Sequence, residues 1–203
     1  MTDRLIPFRR ADGHAGVPDE ALVSACGRGD TAALEELFQR HGDRIHRIVA
    51  RLGGVDRRDL DDIVQATFIA VLGAARRFDR RSTVGTWIVG IALHVAQRHV
   101  RGEARRRLAM LAAADVQANA HGGPSFGPAP DEEVANRQAM ARLVSGFEAL
   151  PLELRTVFTL CDLEGMRGVD AARALGVPEG TVWRRLHDAR LRLRAAMQME
   201  PRT

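Results

Sequence analysis

A chain of 203 residues with 45% hydrophobic content has room for one medium domain or two small ones with buried cores. Only 4% of the residues are aromatic and Tyr is absent, while Ala, Leu, Val and Arg dominate, which favours helices and argues against a sheet-built fold. All 30 basic residues are Arg, yet the formal net charge is only +4, which excludes a general polyanion-coating protein and requires any nucleic-acid footprint to come from local clusters.

Residues 1–18 are polar, broken by Pro7, Gly13 and Gly16, and read as a flexible N-terminal arm. That start is unlike a secretory signal and no long apolar run follows, so a cytoplasmic chain without membrane insertion is expected. A first helix is expected from about Asp19 to Gly27. Asp30 then stands as an N-cap, and Leu34, Leu37, Phe38, Ile45, Ile48, Val49 and Leu52 describe the apolar face of a long helix closed by Gly53 and Gly54. His41 and His46 fall on it without a partner at metal-ligand spacing and read as surface or hydrogen-bonded histidines.

Residues 56–68 open acidic, as a helix N-terminus prefers, and turn apolar through Leu60, Ile63, Val64 and Phe68. Asp62 and Gln65, three apart, share one polar face. Asp59, Asp61 and Asp62 raise the alternative of a metal or acid/base site, but neighbouring helical residues point different ways and no second carboxylate cluster answers them. Residues 76–82 carry four Arg against Asp79, and Thr83 can cap a helix running through Trp87, Ile88, Ile91, Val95 and Val100. A basic loop feeding a helix with an early aromatic suits single-stranded or melted nucleic acid, where bases stack and Arg meets the backbone; core packing is the competing role for Trp87.

After five Arg between 98 and 107, an Ala-rich stretch gives way to the Pro- and Gly-dense residues 121–130. Residues 103–131 therefore read as a flexible linker, helical in part over 104–118. The fold class expected is all-α: two small helical domains, 19–102 and 132–203, with separate cores and first nicked by protease between Ala120 and Pro130. In the second, Val134, Met140, Leu143, Val144 and Phe147 point inward from one helix, and Leu154, Val157, Phe158 and Cys161 from another that starts at Pro151.

Residues 165–194 read as a helix-turn-helix. Val169, Ala172 and Leu175 pattern the first helix, Gly176 ends it, and a three-residue turn reaches Pro178. Val182, Leu186, Ala189 and Leu193 then form one inward stripe, leaving five Arg against Glu179 and Asp188 on the outer faces of residues 179–194. Such a face suits phosphates and guanine edges in a major groove; a solvated amphipathic helix is the plainer reading. Cys26 and Cys161 read as buried free thiols, and no cofactor or metal is implied.

Residues 62–68 (DIVQATF), 83–92 (TVGTWIVGIA), the pair Leu150 and Pro151, residues 176–182 (GVPEGTV) and 186–190 (LHDAR) together resemble the extracytoplasmic-function group of bacterial RNA-polymerase sigma factors, over roughly 20–101 and 133–196. The resemblance implies a region-two domain that docks on core RNA polymerase and opens the minus-ten element, and a region-four domain that reads the minus-thirty-five element. Position by position, it implies polymerase contacts at Asp62, Gln65 and Ala66, the last where the family usually has Glu. It places minus-ten DNA against Arg80, Arg81, Thr83, Trp87, His94 and Arg98, with His94 where Asn is frequent. It places minus-thirty-five DNA against Thr181, Trp183, Arg184, Arg185, His187 and Asp188, with Trp183 replacing a basic residue and Asp188 an Arg. Members are commonly held by an anti-sigma factor, so such a partner is implied beside core polymerase and promoter DNA. The chain ends within a turn or two of its last helix, and no further C-terminal domain is expected.

Two other functions compete. A stand-alone helix-turn-helix regulator would have a sensing or dimerising N-terminal domain, which needs neither the Asp62/Gln65 face nor the basic loop. A metal-dependent hydrolase would have to rest on the Asp59 to Asp62 cluster, but the sequence has no nucleophile constellation or phosphate loop beside it.

Overall fold

A computed structural model describes residues 14, 16–113 and 131–198, and all regular structure among them is helical. The α-helices in order are α1 (Asp19–Cys26), α2 (Thr31–Leu52), α3 (Leu60–Ala74), α4 (Val84–Ala113), α5 (Asp131–Glu148), α6 (Leu152–Phe158), α7 (Gly168–Leu175) and α8 (Glu179–Gln198). The arm's residues 1–13, the interval 114–130 and the expected nicking site within it lie outside the described residues. The expected boundary at 102 falls inside α4, which continues through Ala113.

In the first half, α2 and α3 pack side by side with α4 across α3 and α1 against α2, burying Leu22, Leu37, Ile45, Ile48, Leu52, Val71 and Ile88 at no more than 1% exposure. Each such side chain contributes roughly 1.5–3 kcal/mol by leaving water. Asp30 caps α2, its Oδ1 accepting from the amides of Ala32 and Ala33 at 3.0 and 3.1 Å. The Ala33 amide is the main reason its carboxyl sits below the ordinary carboxylate range. Asp19 ties α1 to α2, taking Nη1 of Arg40 at 2.8 Å and lying 2.7 Å from His41 Nε2. Burial alone would raise the Asp19 pKa, but the hydrogen bonds from Arg40 and His41 outweigh it and leave the carboxyl below its usual value.

In the second half, Leu150, Leu154, Ala189 and Leu193 form a small cluster covered by Leu143, Phe147 and Phe158. Met140 and Val144, expected inside, are 60% and 49% exposed. Helix α5 meets α8 along Leu143, Gly146 and Phe147, and Gly146 is where Ala196 fits closely, since a Cβ there would lie 2.7 Å from the Ala196 Cβ. That choice of stripe turns 140 and 144 away from the contact. The helix-turn-helix follows its sequence pattern: Gly176 takes φ 65°, the Val177 amide returns to the Ala172 carbonyl at 3.1 Å, and Val182, Leu186, Ala189 and Leu193 are all buried.

The cores are not separate. Val157, Leu160, Met166, Ala171, Ala172, Val182 and Leu186 belong to the same buried cluster as the α1 to α4 residues. The α4 and α7 backbones meet at Gly90, where a Cβ would come 2.8 Å from the Ala174 carbonyl oxygen. At the C-terminal end of α2, Arg51 pairs with the Glu164 carboxylate and donates to the Leu163 carbonyl at 3.3 Å, while Thr159 Oγ1 donates to the Arg51 carbonyl at 3.5 Å. Two apolar stripes in separate halves of a sequence do not reveal that small residues on each will let them join.

Candidate docking and nucleic-acid interfaces

Three surfaces carry the expected site residues. On the first, Asp62, Gln65 and Ala66 are exposed along the outer side of α3. Asp62 and Gln65 edge a groove of 690 Å³ between α2 and α3, floored by Leu34, Phe38, Val64, Phe68 and Ile69. Phe38 stands edge-on to Phe68 with ring centroids 5.0 Å apart and stays 40% exposed, and Ile69 is 64% exposed. The groove is also lined by Glu35, whose Oε1 is buried without a hydrogen-bond partner, and by Asp61 and Asp62. An apolar floor with an acidic rim suits a helix that brings an apolar ridge flanked by Arg or Lys. The periodicity assigns Phe38 to the core, and the apolar part of this face goes unnoticed in sequence although Ile69 falls one turn after Gln65 on the same stripe.

The second surface is a groove of 570 Å³ along α4 that gathers Arg81, Trp87, His94 and Arg98 with Arg77, Asp79 and Ser82. Trp87 is half-buried, with its ring 5.0 Å from that of Phe78, so it packs on the core with one side and lines the groove with the other. Two expected members are placed elsewhere. Arg80 takes φ 60° at the turn and lines a different cleft with Gly27, Arg76 and Phe78. Thr83 caps α4, accepting from the Thr86 amide at 3.2 Å and donating to Thr86 Oγ1 at 3.0 Å. Arg173 and Ala174 of α7 complete one wall of the groove, which no sequence pattern indicates.

On the third surface, Trp183, Arg184, His187 and Asp188 are exposed along α8, and Thr181 and Arg185 are partly so. Trp183 Nε1 donates to Glu179 Oε1 at 3.2 Å. Arg190, one of the five Arg on the outer faces of α8, is engaged with Asp162 through Nε at 2.9 Å and Nη2 at 2.5 Å, bracing α8 against the turn that follows α6. This pairing raises the pKa of Arg190 further. Among the described residues, no three His, Cys, Asp or Glu side chains are grouped to hold a metal ion, and no helix is long and apolar enough to cross a membrane.

Residues 37–106 match Sigma-70 region 2 and residues 141–193 match Sigma-70, region 4. The RNA polymerase sigma factor NccH of Alcaligenes xylosoxydans xylosoxydans is 34% identical over 180 residues, covering 89% of this chain and 95% of that one. The chain belongs to the extracytoplasmic-function RNA polymerase sigma factors. Within this family, the ECF RNA polymerase sigma factor SigM of Mycobacterium tuberculosis is 31% identical over 86% of this chain and 82% of its own. The structure of CnrH in complex with the cytosolic domain of CnrY aligns with a TM-score of 0.60 at 26% identity, over 87% of this chain and 95% of that one. As a sigma factor, the protein binds core RNA polymerase and directs promoter-specific initiation, and its helix-turn-helix is the family's region-four DNA-binding unit.

Proposed function

We propose that the groove between α2 and α3 is the polymerase-docking site of this sigma factor, with Asp62 and Gln65 at its polar edge and Ala66 beside them. The observation that carries this reading is the buried, unpartnered Glu35 Oε1 next to exposed Phe38 and Ile69. A buried carboxylate oxygen without a donor is costly, and an Arg or Lys from a docked helix relieves the cost while the helix covers the apolar floor. The α4 groove takes the minus-ten strand: Arg81 and Arg98 meet phosphates, and Trp87 and His94 present the surfaces on which an unstacked base is held. Arg80 and Thr83 contribute through the shape of the turn. Helix α8 reads the minus-thirty-five duplex through Thr181, Trp183, Arg184, Arg185, His187 and Asp188.

These roles are binding roles, and the protein is an initiation factor without catalysis of its own, working in the cytoplasm where polymerase and chromosome meet. An anti-sigma factor is the further partner, by analogy with CnrH, whose structure was solved with the cytosolic domain of CnrY. Competition for core polymerase between the wild type and a Phe38→Ser, Ile69→Ser variant tests the docking assignment. The variant is expected to lose affinity at least tenfold with its helical content intact, and undiminished competition refutes the assignment.

A further inference from the structure

We propose that Trp183 selects thymine in the upstream promoter element by packing its exposed indole edge on a thymine C5-methyl group. The inference rests on the reading of α8 as the helix that enters the major groove. Trp183 lies in the second turn of α8 beside Arg184, at the end of a recognition helix that meets base edges, and is 51% exposed.

An exposed Trp on a helix is ordinarily free to turn, but this one is held from two sides. Its Nε1 donates to Glu179 Oε1, 3.2 Å away and one turn earlier. Its six-membered ring lies over Gly168, the first residue of α7, where a Cβ would come 2.5 Å from Cζ2 and 2.8 Å from Cε2. Any side chain at 168 would push the ring aside. A glycine on one helix and a carboxylate on the other therefore fix where the indole stands, and little rotamer freedom remains to be lost when DNA arrives.

The chemistry of the exposed part follows. Trp has one polar atom, a donor, and Glu179 already occupies it. What faces outward is carbon. In the major groove the base edges present hydrogen-bond donors and acceptors, and the one protruding apolar group among them is the thymine methyl. An Arg at this place would seek the acceptors of guanine. An indole with its N–H committed can neither donate to a base nor accept from one, so contact with any edge other than thymine would desolvate a polar group without replacing its hydrogen bond.

The test uses holoenzyme assembled from the full chain and core polymerase, on a duplex promoter fragment carrying the preferred upstream element from a randomised library. Each thymine of that element is replaced in turn by deoxyuridine, which removes the methyl group alone. Wild-type holoenzyme is expected to lose about fourfold in affinity at one or two positions, the effect of burying one methyl group at about 0.8 kcal/mol. Trp183→Ala and Gly168→Ala abolish that dependence, Trp183→Phe keeps part of it, and Arg184→Ala leaves it in place. A wild type that selects upstream bases yet ignores every deoxyuridine overturns the inference and spares the reading of α8. Equal methyl dependence in wild type and Trp183→Ala overturns it too. Absence of any upstream base preference refutes the reading of α8 and this inference with it. Should the Ala variants not fold, the deoxyuridine series on wild type and Trp183→Phe decides.

Discussion

Gly90 offers a test in which the sign of the effect is the answer. On an open helix, replacing Gly by Ala stabilises by about 0.5–1 kcal/mol because the backbone loses less freedom on folding. In this structure the added Cβ would lie 2.8 Å from the Ala174 carbonyl oxygen and 3.4 Å from the Ala174 Cα. Those are backbone atoms of α7, which cannot swing away as a flexible side chain would. Overpacking of this kind costs about 1–3 kcal/mol, so the balance for Gly90→Ala is a net loss of up to about 2.5 kcal/mol. At about 2–4 °C per kcal/mol for a chain of this size, thermal unfolding followed by circular dichroism should begin lower by up to about 10 °C. If the strain is relieved by separation of α7 from α4 instead, the radius of gyration rises and Ala171, Ala172 and Leu160 lose their cover. A variant that melts higher than wild type with an unchanged radius of gyration refutes the close approach of α4 and α7.

Charge reversal at Asp62 combined with Gln65→Ala is expected to weaken core-polymerase binding about tenfold or more without changing helical content, because both residues are exposed; a competition assay reads the affinity. Arg184→Ala should change preference among upstream-element variants, since a bidentate Arg–guanine pair is worth about 1–3 kcal/mol of discrimination, whereas Arg192→Ala, at an exposed position further along α8 and suited to phosphate, should weaken all sequences alike and reduce the salt slope by about 1. Library selection at two salt concentrations separates the two. Asp19 has its folded-state pKa held below the unfolded value, so its contribution is present above about pH 4 and is lost as pH falls through the lowered value. Asp19→Asn should therefore flatten the acid limb of a stability-against-pH curve, and an unchanged acid limb contradicts the assignment.

The helices were legible in sequence where one physical rule governs each. Asp30, Gly53 and Gly176 mark helix ends through capping and positive φ, and the stripes of α2 and α8 bury as their spacing implies. Exposure was legible where polar residues had no core role, as at Asp62, Gln65, Arg81 and Arg98. What escaped depends on close approach between distant segments. Gly90 against Ala174, Gly168 under Trp183, and Arg173 on the wall of the α4 groove are pairings of residues roughly 15 to 100 positions apart, and no local periodicity encodes them. The pairing of Arg190 with Asp162, 28 positions earlier, is of the same kind. Arg80 and Thr83 are both exposed but lie outside the α4 groove, because a left-handed turn and a helix cap set where they stand.

The most direct test of the central claim is transcription in vitro from a genomic library, with core RNA polymerase alone and with this chain added, followed by mapping of the start sites. The sigma-factor role predicts new starts that appear only with the chain, share a paired upstream and minus-ten sequence at one spacing, and disappear with the Asp62-reversed, Gln65→Ala variant. Binding of promoter DNA by the chain without polymerase, with no chain-dependent start sites, would contradict it.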